Sequence, residues 1–414
     1  MISVQQQKIL AFPYSKFDAL ICDGAVRSGK TTIMMWAFVK WAMDNFNGQR
    51  FGICGRTVDS CTKNIIIPFT TMTLAQESYA IRWRRLDKVM EIRRNGVVNY
   101  FEVFGGKDES SYTLIQGRTF AGVLLDEVVL MPRSFVEQAL ARCSVDGAKM
   151  WFSCNPDTPG HWFYTEWIQK AKEKNALHLH FSLEDNPSLS EKTIQRYKTM
   201  YSGVFYQRYI LGEWVAAQGL IYDCFNTEKN TYTDLPLSIQ EDGIPYYSGD
   251  YGTSNPTAFL KSFIEWENAR PTIYIEDEYY YNSRETLRQK SDAEYVEDFN
   301  EFTKGERYRE IILDPAASSL IVALQQDGYV IKKANNDVLD GIRLTYLLMS
   351  KGMIKINREN CPNLLKELSM YKWDEKSKTG DKPIKENDHA CDAMRYLVKT
   401  VIKKWVFRTL EEEE

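Results

Sequence analysis

Uninterrupted apolar runs are short in this chain. None comes near the ~18 residues needed to cross a bilayer, which excludes a membrane span. The opening Met1-Ile2-Ser3-Val4-Gln5-Gln6-Gln7 lacks the charged and apolar regions of a secretion signal, so the expected compartment is the cytoplasm. Eight cysteines occur without a single Cys-x-x-Cys pair, and neither a zinc site nor a disulfide framework is indicated. Cys22, Cys54 and Cys154 fall in apolar runs and read as buried, reduced thiols. Excess positive charge is also missing, since 52 Lys and Arg stand against 56 Asp and Glu, for a net charge of −4. That excludes a protein that coats nucleic acid through bulk charge, but not an enzyme that grips it locally. Beyond the acidic tail Glu411 to Glu414 there is no low-complexity segment, and no internal repeat.

What is present suits two domains. The 414 residues exceed one ordinary core, and 44% hydrophobic with 26% charged residues is the composition of a globular protein. In the first half, Ala19 to Cys22, Phe51 to Cys54, Val123 to Leu125 and Met150 to Phe152 are apolar runs spaced by helix-like stretches such as Lys30 to Met43. Continuous apolar strands alternating with helices predict an α/β fold with a mostly parallel sheet covered on both faces. Asn95-Gly96 between alternating residues predicts a hairpin. From Gly203 the pattern loosens, and Glu228 to Pro236 reads as linker. Tyr246 to Asp250 then opens a new set of strands. Ala258 to Trp266 and Thr272 to Tyr281 suit adjacent antiparallel strands, Glu310 to Leu313 a short buried strand, and Asp388 to Lys404 a helix. The expected domains are 1–231 and 232–414.

Gly24-Ala25-Val26-Arg27-Ser28-Gly29-Lys30-Thr31 follows an apolar run and precedes a helix pattern, the context of a phosphate loop. Backbone N–H groups there wrap the phosphates of ATP, Lys30 reaches the β and γ phosphates, and Thr31 binds Mg²⁺. Asp126, closing the run Val123-Leu124-Leu125, suits the second Mg²⁺ contact, and Glu127 suits the base that orients the attacking water. Ser153 and Asn155, in Trp151-Phe152-Ser153-Cys154-Asn155-Pro156, read equally as a sensor of the γ phosphate or as an Asn-Pro turn. Gln5, Gln6 or Gln7 suits either the adenine edge or an exposed polar N-terminus.

Three acids carry the second half. Asp250 and Asp314 each end an expected strand, and Asp392 lies near the start of a helix with His389 three residues earlier, on the same face. Singly, each acid reads as a turn or helix-start residue. Together, acids at successive strand ends plus a helix resemble the ribonuclease H architecture with its mixed sheet. Hard oxygen ligands there suit Mg²⁺ or Mn²⁺ and two-metal phosphodiester cleavage. His161, His178 and His180 suit packing roles. The basic stretch Ile81-Arg82-Trp83-Arg84-Arg85, with Arg93 and Arg94, reads as a DNA-phosphate contact or as a solvated basic hairpin.

In order and spacing these motifs resemble the large terminase subunits of tailed bacteriophages, particularly those of siphophages and prophages of Gram-positive hosts. The resemblance also takes in Tyr209-Ile210-Leu211-Gly212-Glu213-Trp214, Leu313-Asp314-Pro315 and Asp388-His389-Ala390-Cys391-Asp392-Ala393. It implies an ATPase, working as a homo-oligomeric ring in the host cytoplasm, that docks on a portal protein. Such a motor receives double-stranded DNA from a small terminase subunit and threads it into the procapsid. It further implies a metal-dependent nuclease that cuts concatemeric DNA, with Asp250, Asp314 and Asp392 as metal ligands and His389, with Asp388, as an additional residue. By the same resemblance Arg27 senses nucleotide state, and Arg142, or in competition Arg133, is an arginine finger reaching a neighbouring subunit. The alternative is a phosphate-loop helicase or remodeller whose second domain is only structural.

Overall fold

The computed structural model describes residues 2–252, 255–268, 270–375, 377 and 381–402; the acidic tail lies outside them. The chain divides into two units, the first ending at Ala216 and the second beginning at Ala217.

The first unit is built on eight strands. They are β1 Ala19–Gly24, β2 Arg50–Gly55, β3 Ala80–Arg84, β4 Val89–Arg94, β5 Val97–Gly105, β6 Gly122–Leu125, β7 Lys149–Ser153 and β8 Ala176–Phe181. Their order in the sheet is β3-β4-β5-β2-β6-β7-β1-β8. From β5 to β8 every neighbouring pair is parallel, as the apolar runs predicted. The reason lies in burial: all six residues of β1 and all four of β6 are buried, a pattern only a sheet covered on both faces produces. On one face Phe38, Trp41, Phe51, Phe101 and Trp151 pack together, with Phe51 and Phe101 stacked at 5.0 Å. On the other, Ile21, Leu125, Phe135, Phe152 and Phe163 form a second core.

Only β3 and β4 run antiparallel, as an extension at one edge. Asn95 and Gly96 turn β4 into β5 with φ values of 48° and 83°, the doubly positive geometry of a tight two-residue hairpin. Much of this extension's positive charge is spent internally. Arg84 and Arg93 both pair with the buried Glu91, and Arg94 pairs with Asp44 at 2.6 Å while lying over the Tyr79 ring.

The second unit holds seven strands: β9 Thr231–Tyr232, β10 Tyr246–Asp250, β11 Thr257–Glu267, β12 Arg270–Tyr281, β13 Ile311–Leu313, β14 Ile331–Lys333 and β15 Ile354–Asn357. The order β14-β13-β10-β11-β12-β15-β9 mixes antiparallel β10-β11-β12 with parallel pairings on either side. The helix His389–Leu397 packs over β10 and β11. This mixed sheet is the predicted ribonuclease H-like arrangement.

The stretch expected as linker is structured instead. Thr227–Asn230 is a helical turn and Thr231–Tyr232 is the edge strand beside β15. Asn230, fully buried, donates its side-chain amide to the carbonyls of Met349 and Ile354 at 2.9 and 3.0 Å. Upstream, Ile221 donates its N–H to Tyr371 O. These contacts draw 217–231 into the second unit, ahead of the division at 232 expected from the sequence. Among the described residues no helix is long and apolar enough to cross a membrane.

Candidate active sites

In the first unit β1 delivers the chain into the phosphate loop. Gly24 lies at φ 125°, and a Cβ there would come within 1.9 Å of Phe181 O on β8, so only glycine lets the loop hug the sheet. The N–H of Ala25 donates to that carbonyl, and Val26 N–H to Tyr209 O, both at 2.8 Å. The helix Lys30–Asn45 then begins at Gly29, φ 79°, with no side chain capping it. Its first N–H groups remain available to an anion, in the position where the helix dipole favours one.

Lys30 is 6% exposed. Its ammonium donates to Gly24 O, Ala25 O, Ser28 Oγ and, across the cleft, Asn155 Oδ1 at 3.1 Å. Burial pulls its pKa down. Thr31 donates to Asp126 Oδ1 at 2.9 Å, and Ser153 donates to the same oxygen. Burial pushes Asp126 above the usual carboxylate range, against those two hydrogen bonds. Glu127 is also raised, by burial first and then by the neighbouring Asp126 charge, and it sits in the left-handed backbone region at φ 55°. A cleft of about 590 Å³ is lined by residues of the loop, Asp126, Glu127, Ser153, Asn155 and Asn186.

The structure therefore brings together Gly24, Arg27, Ser28, Gly29, Lys30, Thr31, Asp126, Glu127 and Asn155. Arg142 and Arg133 are not among the residues lining this cleft. Arg133 pairs with Glu137 at 2.6 Å and stacks over Trp162, whereas Arg142 ends the helix Arg133–Ala141. Of the glutamines, Gln6 is buried and completes a capping box with Ser3, Gln5 donates to His180 O, and Gln7 is exposed.

Sequence reasoning missed Asp23. This buried carboxylate of β1 accepts from Trp214 Nε1 at 2.7 Å and faces His178 and His180 of β8 at 2.8 and 3.1 Å. Burial opposes its charge, but the hydrogen bonds from His178, His180 and Trp214 outweigh it and hold the carboxyl well below the ordinary range. Tyr209 and Trp214 thus buttress the phosphate loop and its strand. The alternation of His178 and His180 was visible beforehand; their shared partner was not, because β1 and β8 are neighbours only in the folded sheet.

In the second unit Asp250 ends β10, and Asp314 follows β13, the strand that lies parallel beside it. Tyr396, on the helix His389–Leu397, donates to Asp314 Oδ2 at 2.6 Å and stands 3.4 Å from Asp250 Oδ1. Nδ1 of His389 is 2.8 Å from Asp250 Oδ2. Burial raises the Asp250 pKa, partly offset by His389 and reinforced by Asp392. For His389, burial is the largest single influence and acts downward, but the hydrogen bond to Asp250 together with the charges of Asp250, Asp388 and Glu367 outweighs it, and the net shift is upward.

Asp392 is held differently. It is 3% exposed and pairs with the buried Arg395 at 2.8 Å, with Lys385 Nζ at 3.4 Å. Lys385 is equally close to Asp388. Asp250 is thus joined directly to His389 and, through the Tyr396 hydroxyl, to Asp314, while the charge of Asp392 acts on Asp250. Among the described residues no three His, Cys, Asp or Glu side chains close on one point at metal-ligand spacing. Asp314 also does the turn work that its sequence context suggested, accepting from Ala316 N–H at 2.8 Å. Tyr396, Arg395, Lys385 and the buried Glu367 carried no local sequence signal.

A phosphate-loop unit followed by a ribonuclease H-like unit defines a nucleotide-driven enzyme acting on nucleic acid. Residues 21–229 match the family model described as the terminase large subunit, T4likevirus-type, N-terminal, and residues 250–400 the terminase RNAseH like domain. The large terminase of a thermophilic bacteriophage is similar to this chain in three of its crystal structures. One (crystal form 2) is 46% identical with a TM-score of 0.87, covering 97% of this chain and 99% of the other. The others are a complex with ADP (45%, TM-score 0.85) and one with ATP-gamma-S (44%, TM-score 0.84), each covering 97% of this chain and 100% of the other. No curated protein matches. The chain belongs to the large terminase subunits of bacteriophages, enzymes that couple an ATPase that drives DNA packaging to a nuclease.

Proposed function

We propose that ATP is bound and hydrolysed in the cleft of the first unit and that duplex DNA is cut at the acids of the second. One observation carries the first half: three strand ends bring two hydrogen-bonded sets, Lys30 with Asn155 and Thr31 with Asp126 and Ser153, to the same cleft. The ADP and ATP-gamma-S complexes of the thermophilic phage protein support the same nucleotide here. Thr31 and Asp126, which share a hydrogen bond, would hold a Mg²⁺ ion, and that ion would supply positive charge against the phosphates. Lys30 neutralises phosphate charge, Glu127 orients water, Asn155 answers to the γ phosphate through Lys30, and Arg27 from the loop reports the nucleotide state.

At the second site Asp250 and Asp314 fit a divalent ion because one hydroxyl reaches both, and their hard oxygens suit Mg²⁺ or Mn²⁺. Asp392 flanks the pair. Such metals, when bound, activate water and stabilise the leaving oxygen. His389 holds Asp250 in place and Tyr396 spaces the two acids. Arg142 is assigned to the neighbouring subunit of a homo-oligomeric ring, on the portal protein of a procapsid in the host cytoplasm, with DNA delivered by a small terminase subunit. Its position outside its own cleft supports action in trans. The ATPase site belongs to the unit ending at Ala216 and the cutting site to the unit beginning at Ala217. The deciding experiment is DNA-stimulated ATP hydrolysis and metal-dependent DNA cleavage by the full chain. Absence of either with the parental sequence overturns the corresponding half.

A further inference from the structure

Glu367 belongs to neither the ATPase cleft nor the predicted set of acids, yet it is 3% exposed and fully engaged. It projects from the helix Pro362–Leu368. Its Oε2 accepts from the N–H groups of Ala390 and Cys391 at 2.8 and 3.0 Å, and its Oε1 accepts from the Tyr280 hydroxyl of β12 at 2.8 Å. Those two N–H groups open the helix that carries His389 and Asp392. A helix start leaves such donors unsatisfied unless a cap supplies an acceptor. Asp388, in the N-cap position, makes no side-chain cap. Its carboxylate faces Lys385 at 3.4 Å and His389 Nε2 at 3.8 Å instead.

A local cap would fix the turn only to its own chain segment. An acceptor brought from another helix, and itself held by a third element, fixes the turn to the sheet. A negative charge at this end is also favoured by the helix dipole. We propose that Glu367 is a positioning residue of the nuclease site: it clamps the first turn of His389–Leu397 so that His389 meets Asp250 and Asp392 stays beside it, while Tyr280 orients the clamp. Asp388 is thereby left unengaged as a cap and turned toward the site. This rests on the assignment of Asp250, Asp314, Asp392 and His389 to the cutting chemistry.

The test is made on the full chain. Mn²⁺ binding is followed by the loss of the free-ion paramagnetic resonance signal, with Asp250→Asn as the baseline for ions bound elsewhere. Cleavage of duplex DNA is followed against Mn²⁺ concentration in parallel. Glu367→Ala should weaken Mn²⁺ binding about 10-fold, as loss of a ligand-orienting partner does, and should lower kcat with the KM for DNA unchanged. Glu367→Gln should restore both, because its amide oxygen accepts the two N–H groups and its NH₂ donates to Tyr280. Tyr280→Phe should fall between. ATP hydrolysis by the same samples should stay parental. Parental Mn²⁺ affinity in folded Glu367→Ala, or a Gln variant as impaired as the Ala variant, overturns the proposal. If Glu367→Ala does not fold, Tyr280→Phe at parental affinity and kcat does the same. Cutting by Asp250→Asn at the parental rate would instead remove the site assignment itself, and the clamp with it.

Discussion

Thr31 donates its hydroxyl to Asp126 at 2.9 Å although 95 residues separate them. The bond joins the first turn of the helix after β1 to the end of β6, two positions away in the sheet. Strand order thus assembles the corner of the cleft assigned to the metal.

Lys30→Ala should abolish ATP hydrolysis, at least about 100-fold, because the buried ammonium is the main positive charge aimed at the phosphates. Glu127→Gln should keep ATP affinity and lose about 100-fold or more in turnover, the usual worth of a positioned base. Hydrolysis by Glu127→Gln at the parental rate, measured by phosphate release, would rule out Glu127 as that base.

Arg142→Ala should bind nucleotide normally but lose the stimulated hydrolysis that follows assembly, by about 10³-fold if it supplies transition-state charge between subunits. Rings mixed with Glu127→Gln subunits at varied ratios give the check: partial recovery indicates action in trans, and none at any ratio removes the assignment. Arg133→Ala should be near parental, since its guanidinium is already paired with Glu137.

Asp250→Asn and Asp314→Asn should each eliminate Mn²⁺- or Mg²⁺-dependent cleavage and leave ATP hydrolysis intact, because the two sites belong to different units. Plasmid nicking and phosphate release on the same preparations measure both. Undiminished cutting by the double variant would return the helicase reading to first place.

A fragment of residues 217–414 should be more stable than one of 232–414. The shorter piece loses Thr231 of β9 and Asn230, whose buried amide satisfies the carbonyls of Met349 and Ile354. Buried polar groups left unpaired cost about 1–3 kcal/mol each. Equal urea midpoints for the two fragments would refute this.

The Asp23 cluster makes the stability of the first unit depend on pH. His180 has its pKa raised above 6.5, chiefly by its hydrogen bond to Asp23, so its contribution is complete below pH 6.5 and is lost as pH rises through the raised value. Asp23, depressed, contributes above its ordinary value of 3.8 and loses this only in strong acid. The melting-temperature gap between the parent and His180→Gln should therefore be wider at about pH 5.5 than at about pH 8.5. The His180 side chain is half exposed, so the gap corresponds to about 1 kcal/mol or less. A constant gap would dismiss the linkage.

The phosphate loop was legible because its chemistry is contiguous: Gly24, Gly29, Lys30 and Thr31 must lie within one turn for backbone and side chain to meet the same phosphates. Asp126, Asp250 and Asp314 were legible as acids at the ends of expected strands, and parallel neighbours such as β10 and β13 gather their ends along one edge. Periodicity likewise carried the parallel sheet, the Asn95-Gly96 hairpin and the pairing of β11 with β12. What lay beyond the sequence were choices between strands and helices distant in the chain. Nothing near Asp23 reveals that β8 will bring it two histidines, and nothing near Glu367 marks it as the cap of a helix that begins only at His389. Thr231 and Tyr232 looked like linker because two residues carry no period; they become a strand only when β15 offers an open edge. Nor does the spacing of Asp392 from His389 show that one acid will face Arg395 while the histidine faces Asp250. Those partners are selected by packing of the whole unit, where each buried charge or amide must find whichever complementary group the sheet order places within reach.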